Sequence, residues 1–280
     1  MRGWGISNRA GQIPRGSDMT DQQIRFQDGA SYEKMMGVWS RIAGEVFLDW
    51  LNPPAGLAWV DVGCGSGALT ELIVERCAPA LVEGVDPSEA QLVFARQRHT
   101  ANLARFQVGD AMALPFADKS LDAAAMALVI FFVPEPARGV AEMARVVRPG
   151  GAVSAYAWDL LGGGFPLEPV HEQMRGMNTP PKMPPQPEAA ELANLKALWA
   201  GAGLTEIETR VITIERRFED FDDFWNTALL SPGIRPLVEA MTPADVDLMK
   251  AGARTHVRTD PSGHVVHSAR AHAVKGVVPA

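Results

Sequence analysis

Cysteine is scarce in this chain: Cys64 and Cys77 are the only two in 280 residues. Two are too few for a disulfide framework or a zinc-type spacing, and a reduced, cytoplasmic setting is the simplest expectation. Long apolar runs are missing too. No stretch approaches the ~20 residues a membrane span needs, and 123–133 reads as a buried strand with its exit. Positive charge is in deficit, with 26 Lys and Arg against 33 Asp and Glu, a net charge of −7. That argues against general nucleic-acid binding, which needs a basic stripe. Residues 1–21 lack the apolar segment of a signal peptide. They are polar and glycine-rich, so a disordered extension is expected there, followed by one domain over 22–280. Apolar residues, 47% of the chain, suffice for a sizeable core.

Those apolar residues fall into alternating strand and helix patterns. Val38, Trp39, Ile42, Val46, Phe47, Trp50 and Leu51 recur at helical spacing and predict an amphipathic helix before the core. Strands are expected at 58–62, 81–85, 104–108, 121–130 and 152–158. Helices are expected between them at 68–77, 88–99 and 136–147, the last ended by Arg148-Pro-Gly-Gly151. This order implies an α/β fold: a doubly wound, mostly parallel sheet with right-handed crossovers. After residue 159 the rhythm breaks. Helices are expected at 169–177, 188–202, 218–230 and 243–254, and strands at 205–217 and 265–274. The glycine-rich 162–164 and proline-rich 179–187 are irregular. Two insertions are therefore expected, at about 160–187 and 218–258, both leaving from loops rather than from the sheet.

The most informative stretch is Trp59-Val-Asp-Val-Gly-Cys-Gly-Ser-Gly67. A strand runs into a turn carrying Gly63, Gly65 and Gly67, where backbone can approach a ligand closely. A helix N-terminus with unpaired N–H groups follows. Taken alone, the loop also fits the dinucleotide fingerprint G-x-G-x-x-G/A. Asp61 shifts the balance, since a carboxylate there disfavours a pyrophosphate and suits a cationic ligand. Acids recur at later strand ends. Asp86 follows the second strand and suits two ribose hydroxyls. Asp110, after the third, suits an adenine amino group. Each acid also has a plain structural alternative as a helix cap or turn residue.

The segments VDVGCGSG (60–67), GVDPSEAQLVFAR (84–96), VGDAMALPFADKSLDAAA (108–125) and ARVVRPGGAVSAYAW (144–158) occur in order. Together they resemble the class I S-adenosylmethionine-dependent methyltransferases, in the small-molecule branch with the menaquinone/ubiquinone C-methyltransferases. The resemblance covers roughly 47–158. YEKMMGVWSR (32–41) is similar to the helix that precedes the core in that family, and ARAHAVKG (269–276) to its last strand. The resemblance implies a seven-stranded Rossmann-like sheet with an antiparallel last strand and the two insertions folded as helical caps over the same edge, S-adenosylmethionine as cofactor, and methyl transfer to a small molecule. It requires no fixed catalytic residue. Gly63, Gly65 and Asp61 would hold the methionine end of the cofactor, Asp86 the ribose, and Asp110 with Ala111 the adenine. Leu128, at the end of the fourth strand, would lie near the sulfonium. Tyr32 and Arg41 are carried over from the resemblance, Arg41 as a partner of the cofactor carboxylate. An NAD-type oxidoreductase and a non-catalytic S-adenosylmethionine-binding protein are the alternatives.

Candidates outside the resemblance are fewer. His171, in the first insertion, and Trp225, in the second, are possible substrate contacts. Exposed-helix packing for His171 and core packing for Trp225 compete with those roles. His264, His267 and His272 look like a metal cluster, but His264 and His267 would point to opposite faces of a strand, so no metal is expected.

Overall fold

The computed structural model describes residues 33–98 and 102–280. The expected extension over 1–21, Tyr32 and the predicted helix end at His99 lie outside the described residues. A π-helical turn at Glu33–Gly37 leads into α1 (Val38–Leu51), which buries Trp39, Ala43 and Phe47. The core then alternates β1 (Ala58–Val62), α2 (Ala68–Cys77), β2 (Leu81–Asp86), α3 (Glu89–Ala95), β3 (Ala104–Val108) and β4 (Leu121–Ala127). It continues with α4 (Pro136–Val146), β5 (Val147–Trp158), α5 (Glu168–Gly176), α6 (Leu192–Gly201) and β6 (Thr205–Phe218). The last elements are α7 (Phe221–Ala228), α8 (Arg235–Glu239), α9 (Pro243–Arg254), β7 (Arg258–Thr259) and β8 (Val265–Val277).

The strands form one sheet in the order β3-β2-β1-β4-β5-β8-β6. β8 runs antiparallel between β5 and β6, and the other pairings among β1 to β5 are parallel. The seven-stranded path is the expected one, and the two-residue β7 adds a short eighth strand against Val265 and Val266. From β1 the chain winds outward in both directions. Right-handed crossovers therefore set the helices of the two halves on opposite faces. Central strands are buried on both sides, as the run Ala123, Ala124, Ala125, Met126 requires.

Several boundaries differ from the sequence expectation: α3 ends at Ala95 short of 99, a separate 3-10 turn at Pro187–Ala190 precedes α6, and Phe218 belongs to β6 rather than to the helix expected at 218–230. Two others turn on backbone conformation. β4 stops at Ala127 because Leu128 adopts a left-handed φ of 62°, and Ile130–Phe132 forms a 3-10 turn. Ile130 and Phe131 are buried there, so their hydrophobicity resembled strand. Arg148 to Gly151 stops α4 but then belongs to β5. The register against β4 jumps from Leu121↔Val147 to Ala123↔Ala152, with Gly150 at φ 78° in the bulge.

The insertions spring from one edge. β6 lies antiparallel to β8, as β5 does, so Phe218 and Trp158 end on the same side. β8 pairs with β5 from Ala271 onward but with β6 from Val265. A two-stranded ribbon thus projects roughly 20 Å past the end of β5. The second insertion leaves from its tip, and its α9 packs on α5 of the first.

Candidate functional site

The strand order reverses between β1 and β4, which opens a crevice at their carboxyl ends. The glycine loop fills one side of it. Gly63 and Cys64 donate their amides to Val85 O at 2.7 and 3.0 Å, and Gly67 donates to Cys64 O at 2.8 Å. Gly63 sits at φ 72°, where a Cβ would come within 2.6 Å of the Val129 side chain. Gly65, at φ 53°, has nothing within 4 Å of its Cβ direction. Its face is open to a ligand, and only the backbone conformation demands glycine there. α2 begins directly behind without a side-chain cap, leaving amides for a polar partner.

Asp61 is fully buried beneath this loop. Its Oδ2 accepts from Thr70 Oγ1 at 2.7 Å, while Oδ1 has no hydrogen-bond partner. Loss of water pushes its pKa up to about 7, against the opposing hydrogen bonds from Thr70, with the nearby Asp86 charge adding a smaller push. An orphaned acceptor in such a place is costly unless something completes it.

Asp86 ends β2, nearly buried. Its Oδ2 accepts from the Gly65 amide at 2.9 Å and its Oδ1 from the Ser88 amide at 2.8 Å. Burial raises its pKa, opposed by those two hydrogen bonds. The cap of α3 is Ser88, whose hydroxyl accepts from the Gln91 amide, so Asp86 is free of that duty. Asp110 follows β3 and is exposed; its Oδ1 accepts from the Met112 amide at 2.8 Å in a tight turn with Ala111. The Gly109 amide donates to Asp86 O at 3.2 Å, which sets Asp110 beside the Asp86 strand end. Asp61, Asp86 and Asp110 therefore stand at three adjacent strand ends around the loop.

Leu128 stands across the crevice, its amide donating to Tyr156 O at 2.7 Å. It also lines a cavity of about 920 Å³. Phe131, Phe132 and Trp158 from the sheet edge wall this cavity, with Met35 and Met36 from the N-terminal turn. The first insertion adds Phe165, His171 and Met174, and the second adds Pro236 and Leu237. His171 stacks on Phe165, ring centroids 5.0 Å apart and planes at 16°. Burial, with Arg175 nearby, pushes its pKa down to about 4, so the imidazole is neutral at pH 7.

Two expected contacts lie elsewhere. Arg41 donates to Glu75 at 2.8 Å and pairs with Glu45 at 3.3 Å on the surface. Glu75 is roughly 10 Å along α2 from its start, so Arg41 is drawn away from the glycine loop. The arginine that does reach the loop is Arg98, whose Nε donates to Ser66 O at 2.6 Å while Nη1 pairs with Glu71. It lies at the polar end of the helix expected at 88–99, just past the resembling segment that closes at Arg96, so no sequence signal marked it. Trp225 is buried in α7 with Phe221 and Phe224 and does not line the cavity; its size is used for packing. The three C-terminal histidines also go separate ways. His264 contacts Arg217 and Asp260, His267 lies between Trp39 and Phe224, and His272 lies beside Asp159. Among the described residues no group of His, Cys, Asp and Glu is arranged to hold a metal.

Comparison with known proteins places these features. Residues 60–155 match the model of the methyltransferase domain family. The ubiquinone/menaquinone biosynthesis C-methyltransferase UbiE of Roseobacter denitrificans is 35% identical over 158 residues, covering 53% of this chain and 63% of that protein. The 2-phytyl-1,4-naphthoquinone methyltransferase of Thermosynechococcus vestitus is 35% identical over 117 residues, covering 41% of this chain and 50% of that protein. The chain thus spans little more than half the length of the curated relatives it matches. Among solved structures, the fold is shared with the Haemonchus contortus phosphoethanolamine N-methyltransferase 2 in complex with S-adenosyl-L-methionine. There the TM-score is 0.55 at 17% identity, over 90% of this chain and 56% of that one. It is shared equally with the YcgJ protein of Bacillus subtilis, TM-score 0.55 at 16% identity, over 85% and 98% of the two chains.

Proposed function

We propose that this chain, a member of the class I S-adenosylmethionine-dependent methyltransferases, transfers a methyl group from that cofactor to an apolar small molecule held beneath its two insertions. The observation that carries the reading is the buried Asp61 Oδ1, which lacks a partner under an open glycine loop. A cofactor ammonium group, directly or through one water, would complete it. Asp86 keeps a lone pair on each oxygen after accepting its two amides, enough for two ribose hydroxyls. Gly63 and Gly65 would admit the methionine end, Asp110 and Ala111 would border the adenine, and Leu128 would sit between cofactor and cavity.

S-adenosylmethionine, when bound, supplies a methyl group already activated by a positively charged sulfur. The chain's own task is then to hold the acceptor in line and exclude water. Such positioning is worth on the order of 7–11 kcal/mol. The apolar cavity at Leu128 and Trp158 suits that task, and both insertions contribute to its walls. We read them as a cap that selects the substrate. The dinucleotide alternative sits poorly with Asp61, whose carboxylate would face a pyrophosphate. Two free, buried cysteines suit a cytoplasmic location.

The test is transfer of labelled methyl from S-adenosylmethionine into the small-molecule fraction of a cell extract. Label in a discrete organic-soluble product supports the reading, and its absence across extracts, or label in macromolecules alone, counts against it.

A further inference from the structure

His171 lines the largely apolar cavity together with the polar residues Glu168, Arg175, Thr179, Lys182 and Ser231. Among the described residues neither of its ring nitrogens is hydrogen-bonded, and its fixed contact is the face of Phe165. The ring is half-buried and its nitrogens are not among the sealed, unpaired polar atoms, so they stay open to a ligand, and a neutral imidazole offers one acceptor and one donor. The charges beside it cancel. Glu168, three residues earlier, and Arg175, four residues later, share its helical face and form an ion pair with each other. An ionised group approaching His171 would meet both members of this pair and gain little net field from them, and the further charge in the lining is that of Lys182. A neutral protic group needs no counter-charge and can pair directly with the neutral imidazole. The surrounding walls, Phe131, Phe165 and Trp158, offer faces and edges to a flat ring.

We propose that His171 is a substrate-binding residue whose imidazole accepts a hydrogen bond from a ring hydroxyl on a flat, apolar substrate. It thereby fixes the ring's rotation relative to the crevice at Leu128. This assignment rests on the methyltransferase reading only in taking the cavity as the substrate site. It concerns a segment, α5, beyond the region that matches the family model.

The probes are 2-naphthol and 2-methoxynaphthalene, which differ in the hydroxyl proton. Both are titrated into the full chain in the presence of S-adenosylhomocysteine. 2-Naphthol should bind about 3- to 10-fold tighter, the range of one neutral hydrogen bond. His171→Phe keeps the stack on Phe165 and should erase the difference, while His171→Gln should restore part of it. In the unmodified protein, 2-naphthol and not its methyl ether should shift the ¹⁵N resonance of the His171 ring, which needs no variant to fold. Equal affinities, a preference that survives His171→Phe, or no binding of either probe would overturn the proposal. The S-adenosylhomocysteine affinity of the same samples separates the two claims. Its loss in the unmodified protein defeats the methyltransferase reading. Its retention without a hydroxyl preference defeats the role of His171 alone.

Discussion

The Gly65 amide donates to the Asp86 carboxylate at 2.9 Å and so ties the glycine loop to the end of β2. Asp86 thereby does two things with one side chain: it shapes the loop, and it presents its remaining lone pairs to the crevice. Removing it should disturb both. Asp86→Ala is expected to weaken S-adenosylhomocysteine binding by roughly 2–3 kcal/mol, given about 1.5–3 kcal/mol for a hydrogen bond to a charged group. Asp86→Asn, which keeps one acceptor, should lose less. Calorimetry on folded variants checks this, and an unchanged affinity in Asp86→Ala would reduce Asp86 to a turn residue.

Asp61 carries a pH signature. Its folded pKa of about 7 lies above the ordinary carboxylate value of 3.8. The folded protein therefore binds more protons than the unfolded chain between those values. Stability of the cofactor-free protein should fall as pH rises through that window and level off above about 7. Asp61→Asn removes the burial cost and should flatten the profile, making the cofactor-free protein more stable at pH 8, by on the order of 1–4 kcal/mol. The same change should weaken S-adenosylhomocysteine while sparing 5′-methylthioadenosine, which lacks the amino-acid end. Equal losses for both ligands would move Asp61 away from the methionine site.

The two arginines should behave oppositely. Arg41, in an exposed pair, should tolerate Ala with under about 1 kcal/mol lost and no change in cofactor affinity. Arg98 braces Ser66 and Glu71 across the loop, so Arg98→Ala should weaken cofactor binding. A reversed pattern in a binding assay would restore Arg41 to the site.

Much of this was legible in the sequence where local and tertiary signals agree. The bounds of β1 and α2 match the sequence expectation because glycine at the turn and apolar runs beside it leave one solution. Leu128 illustrates the opposite: a buried left-handed turn inside an apolar run has no sequence mark of its own. Arg41 and Arg98 were indistinguishable by composition, since only the packing of α1 on α2 decides which guanidinium meets surface carboxylates. Trp225 and His171 each had a competing structural reading until the folded chain buried one and opened the other to the cavity.

The root of the first insertion, irregular and glycine-rich in the sequence, is held in place by hydrogen bonds. Gly162 donates to Asp159 Oδ1 and Gly164 to Asp159 O, both at 2.8 Å, and Arg270 Nε binds Asp159 Oδ2 at 2.7 Å. Hydrogen exchange should find the Gly162 and Gly164 amides protected in the free protein. Adding S-adenosylhomocysteine should raise protection in 165–187 and 219–257 while the central strands hardly change. Fast exchange at Gly162 and Gly164, or insertions indifferent to ligand, would remove the picture of a cap moving on a fixed root.

The most direct test of the central claim is calorimetric titration of the full chain with S-adenosylhomocysteine and, separately, with NAD. The account predicts saturable one-to-one binding of S-adenosylhomocysteine, weakened in both Asp61→Asn and Asp86→Ala, and negligible binding of NAD. Tight binding of NAD with no detectable affinity for S-adenosylhomocysteine would contradict it.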